Sequence, residues 1–258
     1  MKRFLWLLVC APALFAQTEA QAPAAADAAA QAELEKLRMQ MFRIQKTLTD
    51  WANLTRYRQE NVDLAAKGID ANRVVFMGDS ITDAWGRTYS VGKFFPGKPY
   101  VNRGISGQTT PQMLIRFRPD VIALKPKAVL ILAGTNDIAG NTGPMTLEET
   151  EGNLTSMAEL AKAGGIQVIL ASVMPTCDYY HKQTDRRPNE KIVELNTWMA
   201  GYAKQNGYVY LDYYTALLDD QKVFKKELTY DGLHPNDAGY EVMSPLAQKA
   251  IDAALAQP

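Results

Sequence analysis

The sequence predicts an α/β protein in which a parallel sheet is covered by helices on both faces. Three observations lead there. Short apolar runs at residues 74–77, 100–102, 128–133, 168–171 and 209–211 are rich in β-branched and aromatic side chains, as strands buried on both faces are. Segments of helical period with recognisable start and stop signals lie between them. Strand and helix then alternate to the end of the chain, so successive strands of one sheet are joined by crossovers and run parallel.

Before the first strand the chain is of a different kind. Residues 1–16 have the plan of a secretory signal peptide: Lys2-Arg3, an apolar segment from Phe4, then small residues that place cleavage after Ala16 or Ala20. The apolar run is too short for a stable membrane span. Leu8-Val9-Cys10 resembles a lipobox, but Val9 is bulky where that motif has a small residue, so anchoring at Cys10 ranks behind secretion or periplasmic export. Residues 17–32 are Ala, Gln and Pro with little else, the composition of a low-complexity linker. A helix is expected over 33–62. Its Leu34, Leu37, Met41, Ile44, Leu48 and Trp51 make one apolar seam. Packing of that seam on its own domain is favoured over a short coiled coil with a second copy, which leaves a dimer through this helix as the alternative.

The folded domain is expected over 73–258. Residues 74–77 run into Gly78-Asp79-Ser80, which leaves Ser80 at a strand's carboxyl end, where open α/β sheets place ligands. A loop with Trp85, Phe94 and Phe95 follows. Gly92 to Lys98 nearly spell a phosphate-binding loop, but Pro99 replaces the magnesium-binding hydroxyl and no strand precedes Gly92, so the motif is rejected. Strand 100–102 leads to Arg103-Gly104-Ile105-Ser106-Gly107. Thr110 and Pro111 then open a helix that Pro119 ends. Strand 128–133 leads to Gly134-Thr135-Asn136-Asp137. Thr146 and Glu149 form a capping box for a helix ending at Gly164-Gly165. Strand 168–171 opens into a polar, aromatic loop at 175–187. Ile192, Leu195, Met199 and Tyr202 line one face of a helix closed by Gly207. After the last strand come Asp231-Gly232-Leu233-His234-Pro235 and a final helix, with Pro245 expected to break or kink it and Ser244 to cap its second part.

Composition narrows the function. The 258 residues are 47% hydrophobic and hold 28 bases against 28 acids. Removing the leader leaves 26 against 28, a net charge of −2. With no basic cluster, a nucleic-acid partner is not expected. Without the leader Cys177 is the one cysteine, so stability rests on the core rather than on a disulfide. Neither a dinucleotide fingerprint nor a zinc-binding His pair is present, so no cofactor or metal is expected.

A serine nucleophile needs a base, and the chain has two histidines, His181 and His234. Asp231, three residues before His234, can meet one ring nitrogen and leave the other facing a serine. Asn136 follows a buried strand at the same sheet edge as Ser80. Ser106 is the competing nucleophile but lacks the full Gly-x-Ser-x-Gly elbow. Taken singly, each of these residues also fits ordinary turn or capping chemistry.

Their order is more specific. Gly78-Asp79-Ser80-Ile81-Thr82, then Gly104, then Gly134-Thr135-Asn136-Asp137, then Asp231-Gly232-Leu233-His234 resembles the four blocks of the SGNH hydrolases, or GDSL esterases and lipases, over about residues 73–255. The resemblance implies a flavodoxin-like three-layer α/β/α fold with a five-stranded parallel sheet. It implies Ser80 as nucleophile, His234 as base and acid, and Asp231 as the residue that orients it. It implies an oxyanion hole of the Ser80 and Gly104 N–H groups and the Asn136 side chain. Within the family the first two blocks look most like carbohydrate acetylesterases and platelet-activating-factor acetylhydrolase-like members. The expected reaction is therefore hydrolysis of short-chain esters on carbohydrate. A lysophospholipase or thioesterase, or a glycan-binding protein on an esterase fold, are the alternatives. Trp85, Arg103, Tyr179, Tyr180 and His181 are the candidate substrate contacts, and Arg186 and Arg187 of the same 175–187 loop could also bind sugar or an anionic group, unless the loop is simply a solvated surface.

Overall fold

The computed structural model describes residues 21–87 and 92–257. The expected leader lies outside these residues. The chain divides into two compact units, residues 1–50 and 51–258.

The described part of the first unit is one helix, α1 (Gln21–Thr49). It begins inside the stretch expected to be a linker, because alanine, which dominates that stretch, has the highest helix propensity of any residue. Leu34, Leu37, Met41, Ile44 and Leu48 of its seam are all exposed. The single helix expected over 33–62 is two helices. The chain leaves α1 at Thr49, turns through Asn53 at φ 54°, and forms α2 (Arg58–Ala66).

The second unit is built on five parallel strands, β1 (Val74–Gly78), β2 (Tyr100–Gly104), β3 (Ala128–Leu132), β4 (Gln167–Ala171) and β5 (Val209–Leu211), in the spatial order β2-β1-β3-β4-β5. The helices are α3 (Ser80–Ala84), α4 (Thr110–Asp120), α5 (Thr135–Ile138), α6 (Leu147–Ala163), α7 (Asn189–Asn206), α8 (Tyr214–Leu217) and α9 (Asp237–Leu255). Alternate residues of β1 divide the core in two. Val74 and Phe76 pack with Tyr240, Met243, Ala247 and Ile251 of α9. Val75 and Met77 pack with Met113 and Phe117 of α4, Leu154 and Met157 of α6, and Leu195 of α7. This is the three-layer α/β/α arrangement, and the period-two side-chain alternation of a strand produces it.

The caps follow local chemistry. Thr146 and Glu149 exchange hydrogen bonds of 2.8 and 3.2 Å at the start of α6. Gly207 takes φ 74° after α7. The cap of α4 is Thr109 rather than Thr110, with Gln112 completing its box, and the helix runs one residue past Pro119. Helix α9 is not divided at Pro245: Asn236 caps it, accepting from the Gly239 N–H at 3.0 Å. Ser244 donates back to the Tyr240 carbonyl at 2.8 Å instead of starting a second helix. No described helix is long and apolar enough to cross a membrane.

Candidate active site

The strand order reverses at β1. Its successor β2 lies on one side and β3 on the other, and between β1 and β3 the following turns separate to leave a crevice at the carboxyl ends. Ser80 follows β1 and Asn136 follows β3, so both face this crevice.

Ser80 is the first residue of α3, so its N–H has no intrahelical acceptor. Asp79 before it is the N-cap and accepts from the Ile81 N–H at 3.0 Å. Ser80 Oγ lies 2.9 Å from His234 Nε2. His234 Nδ1 lies 2.6 Å from Asp231 Oδ2. The other Asp231 oxygen accepts from the Leu233 and His234 N–H groups at 2.9 and 2.7 Å. Burial works against the Asp231 charge, but the hydrogen bonds from the His234 ring and these backbone groups outweigh it and hold the carboxyl below its usual range. Such a carboxylate can fix the ring so that Nε2 faces the hydroxyl. Tyr230 lies flat against the His234 ring, with centroids 5.7 Å apart and planes 10° apart. Nothing in the sequence singled it out.

Burial pushes the carboxyl of Asp79 up to about 6, against the opposing Ile81 N–H and the nearby His234 and Arg187 charges. The Asn136 Nδ2 donates to the Gln108 carbonyl at 3.0 Å and, at the longer distance of 3.4 Å, to Asp79 Oδ2. Its carbonyl Oδ1 accepts from Asn141 Nδ2 at 2.9 Å and from Arg187 Nη2 at 3.3 Å.

Gly104 does not stand where the family pattern would put an oxyanion donor. Its N–H donates to Asn102 Oδ1 at 2.9 Å, and its carbonyl accepts from the Tyr57 hydroxyl. A Cβ there would come within 2.1 Å of the Asp83 nitrogen, so this glycine allows β2 to approach α3. The free donor is three residues on. Gly107 has φ 79°, is exposed, and among the described residues its N–H has no partner. Its carbonyl accepts from Asn141 at 3.2 Å, the residue that also holds Asn136. A second glycine in the same turn was the available signal.

Two candidate substrate contacts are corrected. Trp85 is 2% exposed. It packs among Phe76, Phe94, Phe95 and Tyr240 at centroid distances of 5.0–6.0 Å, so these rings form a core cluster rather than isolated platforms. Arg103 is also buried. It pairs with Glu60 at 3.2 Å, donates to Asn61 at 3.0 Å and covers the Tyr57 ring at 4.5 Å, joining β2 to α2. Ser106, the competing nucleophile, donates its hydroxyl to Asp83 at 2.8 Å. Tyr179, Tyr180 and His181 are exposed. The two phenols bond to Asp219 at 3.1 Å and to the Lys226 carbonyl at 3.3 Å. None of the three shares a hydrogen bond or ring contact with Ser80, His234 or Asn136.

The 175–187 loop reaches the crevice through other residues. Gln183 Nε2 donates to the Asp231 carbonyl at 3.2 Å and the Cys177 N–H to the Gly232 carbonyl at 2.9 Å. Arg186 and Arg187 reach the Asn136 side.

A three-layer α/β/α unit with Ser80, His234 and Asp231 in hydrogen-bond reach at the sheet's switch point has the geometry that serine-dependent ester hydrolysis requires. The GDSL-like lipase/acylhydrolase family model matches residues 76–242, more than half of the chain, and the chain belongs to that family. A GDSL-like lipase from Bacteroides thetaiotaomicron is 44% identical, with a TM-score of 0.71 over 80% of this chain and 100% of the other. An acetylxylan esterase from Geobacillus stearothermophilus is 25% identical over 67% of this chain and 90% of its own length. An acetylxylan esterase from Xylanibacter ruminicola is 27% identical over 70% of this chain, which spans 43% of that protein. The protein is a carboxylic ester hydrolase.

Proposed function

We propose that the protein is an exported serine esterase that removes acetyl groups from carbohydrate by way of an acyl-enzyme. The observation that carries the reading is the alignment of Ser80 Oγ, His234 and Asp231 at 2.9 and 2.6 Å. Ser80 Oγ attacks the ester carbonyl while His234 Nε2 takes its proton. Asp231 stabilises the imidazolium that results. The Ser80 and Gly107 N–H groups and Asn136 Nδ2 meet the developing oxyanion. The alcohol leaves with the proton held by His234. Water, deprotonated by the same ring, then attacks the acyl-Ser80 ester and releases acetate.

The preference for acetyl on carbohydrate is supported by the relatives, two of which are acetylxylan esterases. It is also supported by the polar character of the side chains that bond to Asn136 and to the Asp231 carbonyl, among them Asn141, Gln183 and Arg187. The apolar groove of about 440 Å³ lined by Leu54, Val62, Pro119 and Leu124 is at the other end of α4, toward the amino edge of the sheet. It cannot receive the tail of an ester attacked at Ser80. Export is supported by the leader-like residues 1–16.

A fluorophosphonate probe is expected to label the wild type and not Ser80→Ala, with acetate released from acetylated xylan only by the former. Labelling that survives Ser80→Ala and disappears with Ser106→Ala would reassign the nucleophile.

A further inference from the structure

Behind the oxyanion side of the crevice stand two consecutive cations that the hydrolytic steps leave unused. Arg187 is 7% exposed. Its Nη2 donates to Asn136 Oδ1 at 3.3 Å and its Nη1 to Gln183 Oε1 at 3.3 Å, while its Nε is buried with no partner among the described residues. Arg186 Nη2 donates to Asn141 Oδ1 at 3.0 Å and to the Ala139 carbonyl at 2.9 Å. Asn141 in turn donates to Asn136 Oδ1 at 2.9 Å and to the Gly107 carbonyl at 3.2 Å.

We propose that Arg187, with Arg186 acting through Asn141, is a positioning pair that fixes and polarises the Asn136 carboxamide as an oxyanion donor. The proposal rests on Asn136 having that role. The argument begins with what a guanidinium can do: it has five donors and no acceptor. An amide facing it must present oxygen. Arg187 therefore admits one orientation of Asn136, with Oδ1 toward the arginine and Nδ2 toward the Gln108 carbonyl at 3.0 Å and Asp79 Oδ2 at 3.4 Å, the longer of which an oxyanion would replace. Arg186 imposes the same choice on Asn141, whose Nδ2 is thereby left to hold Asn136 Oδ1 from a second direction. Two chained amides are set by two residues that can only donate.

Polarisation is the second effect. A charged donor on Oδ1 draws electron density from the carboxamide and strengthens its N–H as a donor. That gain grows as negative charge develops on the substrate oxygen, so it belongs to the transition state rather than to substrate binding. Asn136 and Arg187 are both buried, and charge effects between buried groups are larger than in water. Burial works against the Arg187 charge, and Arg186 beside it does the same. The Asp79 and Asp231 carboxylates oppose both without cancelling them, so the group lies below its ordinary value, yet a guanidinium starts so high that it stays a cation.

The experiment is a double-mutant cycle read by kcat and KM on an aryl acetate. Asn136→Ala alone reports on the oxyanion role, and an unchanged kcat there would remove the basis of the proposal. Given a loss at Asn136→Ala, Arg187→Gln is expected to lower kcat about tenfold with KM within about twofold. Arg187→Lys, which keeps the charge, should recover part of that loss. In the Asn136→Ala background Arg187→Gln should change kcat by less than about twofold, because the group it acts on is gone. An equal loss in both backgrounds, or a raised KM with kcat unchanged, would overturn the proposal and make Arg187 a support of the loop or a substrate contact. If Arg187→Gln does not fold, Arg186→Gln runs through the same cycle, and additivity with Asn136→Ala would overturn the proposal in the same way.

Discussion

At the scale of single residues, Asp79 shows how a local motif acquires a property its sequence does not display. As the N-cap of α3 it needs only an oxygen toward the Ile81 N–H. The fold buries that oxygen, and burial disfavours the charged form, raising the carboxyl from 3.8 to about 6. A carboxyl raised on folding binds its proton more tightly in the native state. Between about pH 4 and 6 the native state holds more protons than the unfolded chain, so stability falls as pH rises through that window and levels off above it. Asp79→Asn retains an acceptor for the cap and removes the ionisation. Denaturant titrations at about pH 4 and pH 7 should show the wild type losing on the order of 3 kcal/mol more than Asp79→Asn over that interval. Equal losses in the two proteins would mean that Asp79 ionises at its ordinary value.

At the scale of elements, the segment that precedes β1 supports the crevice rather than merely leading to it. The Tyr57 hydroxyl meets the Gly104 carbonyl. Gln108 donates to the Ala52 carbonyl at 2.8 Å and Gln112 to the Trp51 carbonyl at 2.7 Å. Asn61 of α2 donates to Asp120 of α4 at 2.8 Å. The first three bonds hold both ends of the 104–112 turn, which carries Gly107, and the fourth ties α2 to the end of α4. A chain beginning at Trp51 should therefore melt within about 3 °C of the full chain. One beginning at Arg73 loses a buried tyrosine and several buried hydrogen bonds, and its Tm should fall by about 10 °C, with activity falling too. Equal melting of the two shorter chains would show that α2 and residues 51–57 contribute nothing to the hydrolase unit.

At the scale of the whole molecule, the sheet sorts its ends. Crossovers bring every turn after a strand to the carboxyl edge, and the polar turns 78–80, 104–109, 134–141 and 175–187 gather there. The apolar groove under α2 lies at the opposite edge. Each methylene of an acyl tail stabilises binding by about 0.8 kcal/mol only where apolar walls receive it. Across a nitrophenyl ester series kcat/KM is therefore expected to be highest for acetyl and to fall by eight carbons. A rate that climbs steadily with chain length would place the protein with the lipid acyl hydrolases instead.

The sequence by itself determined the order of strands and long helices from residue 74 onward, the five strands and the residues at the strand ends. Those features follow from local periodicity, from glycines and prolines, and from the rule that alternating strands and helices make parallel sheets. It also contained the pairing of Asp231 with His234, because three residues in a turn are a local distance. What only the tertiary structure decided depends on contacts between segments distant in sequence. Trp85 and its neighbouring phenylalanines look like surface rings until Phe76 and Tyr240 close around them. Gly104 and Gly107 are both glycines of one turn. Only the approach of α3 to β2, and of Asn102 to the Gly104 N–H, shows which of the two N–H groups is left free. The sequence pointed to the side chains of the 175–187 loop but not to which of them reach the crevice, for the same reason. Its conspicuous tyrosines and histidine stay outside, whereas Arg186 and Arg187 reach amides about 50 residues earlier in the chain because the sheet brings the turns after β3 and β4 to one edge.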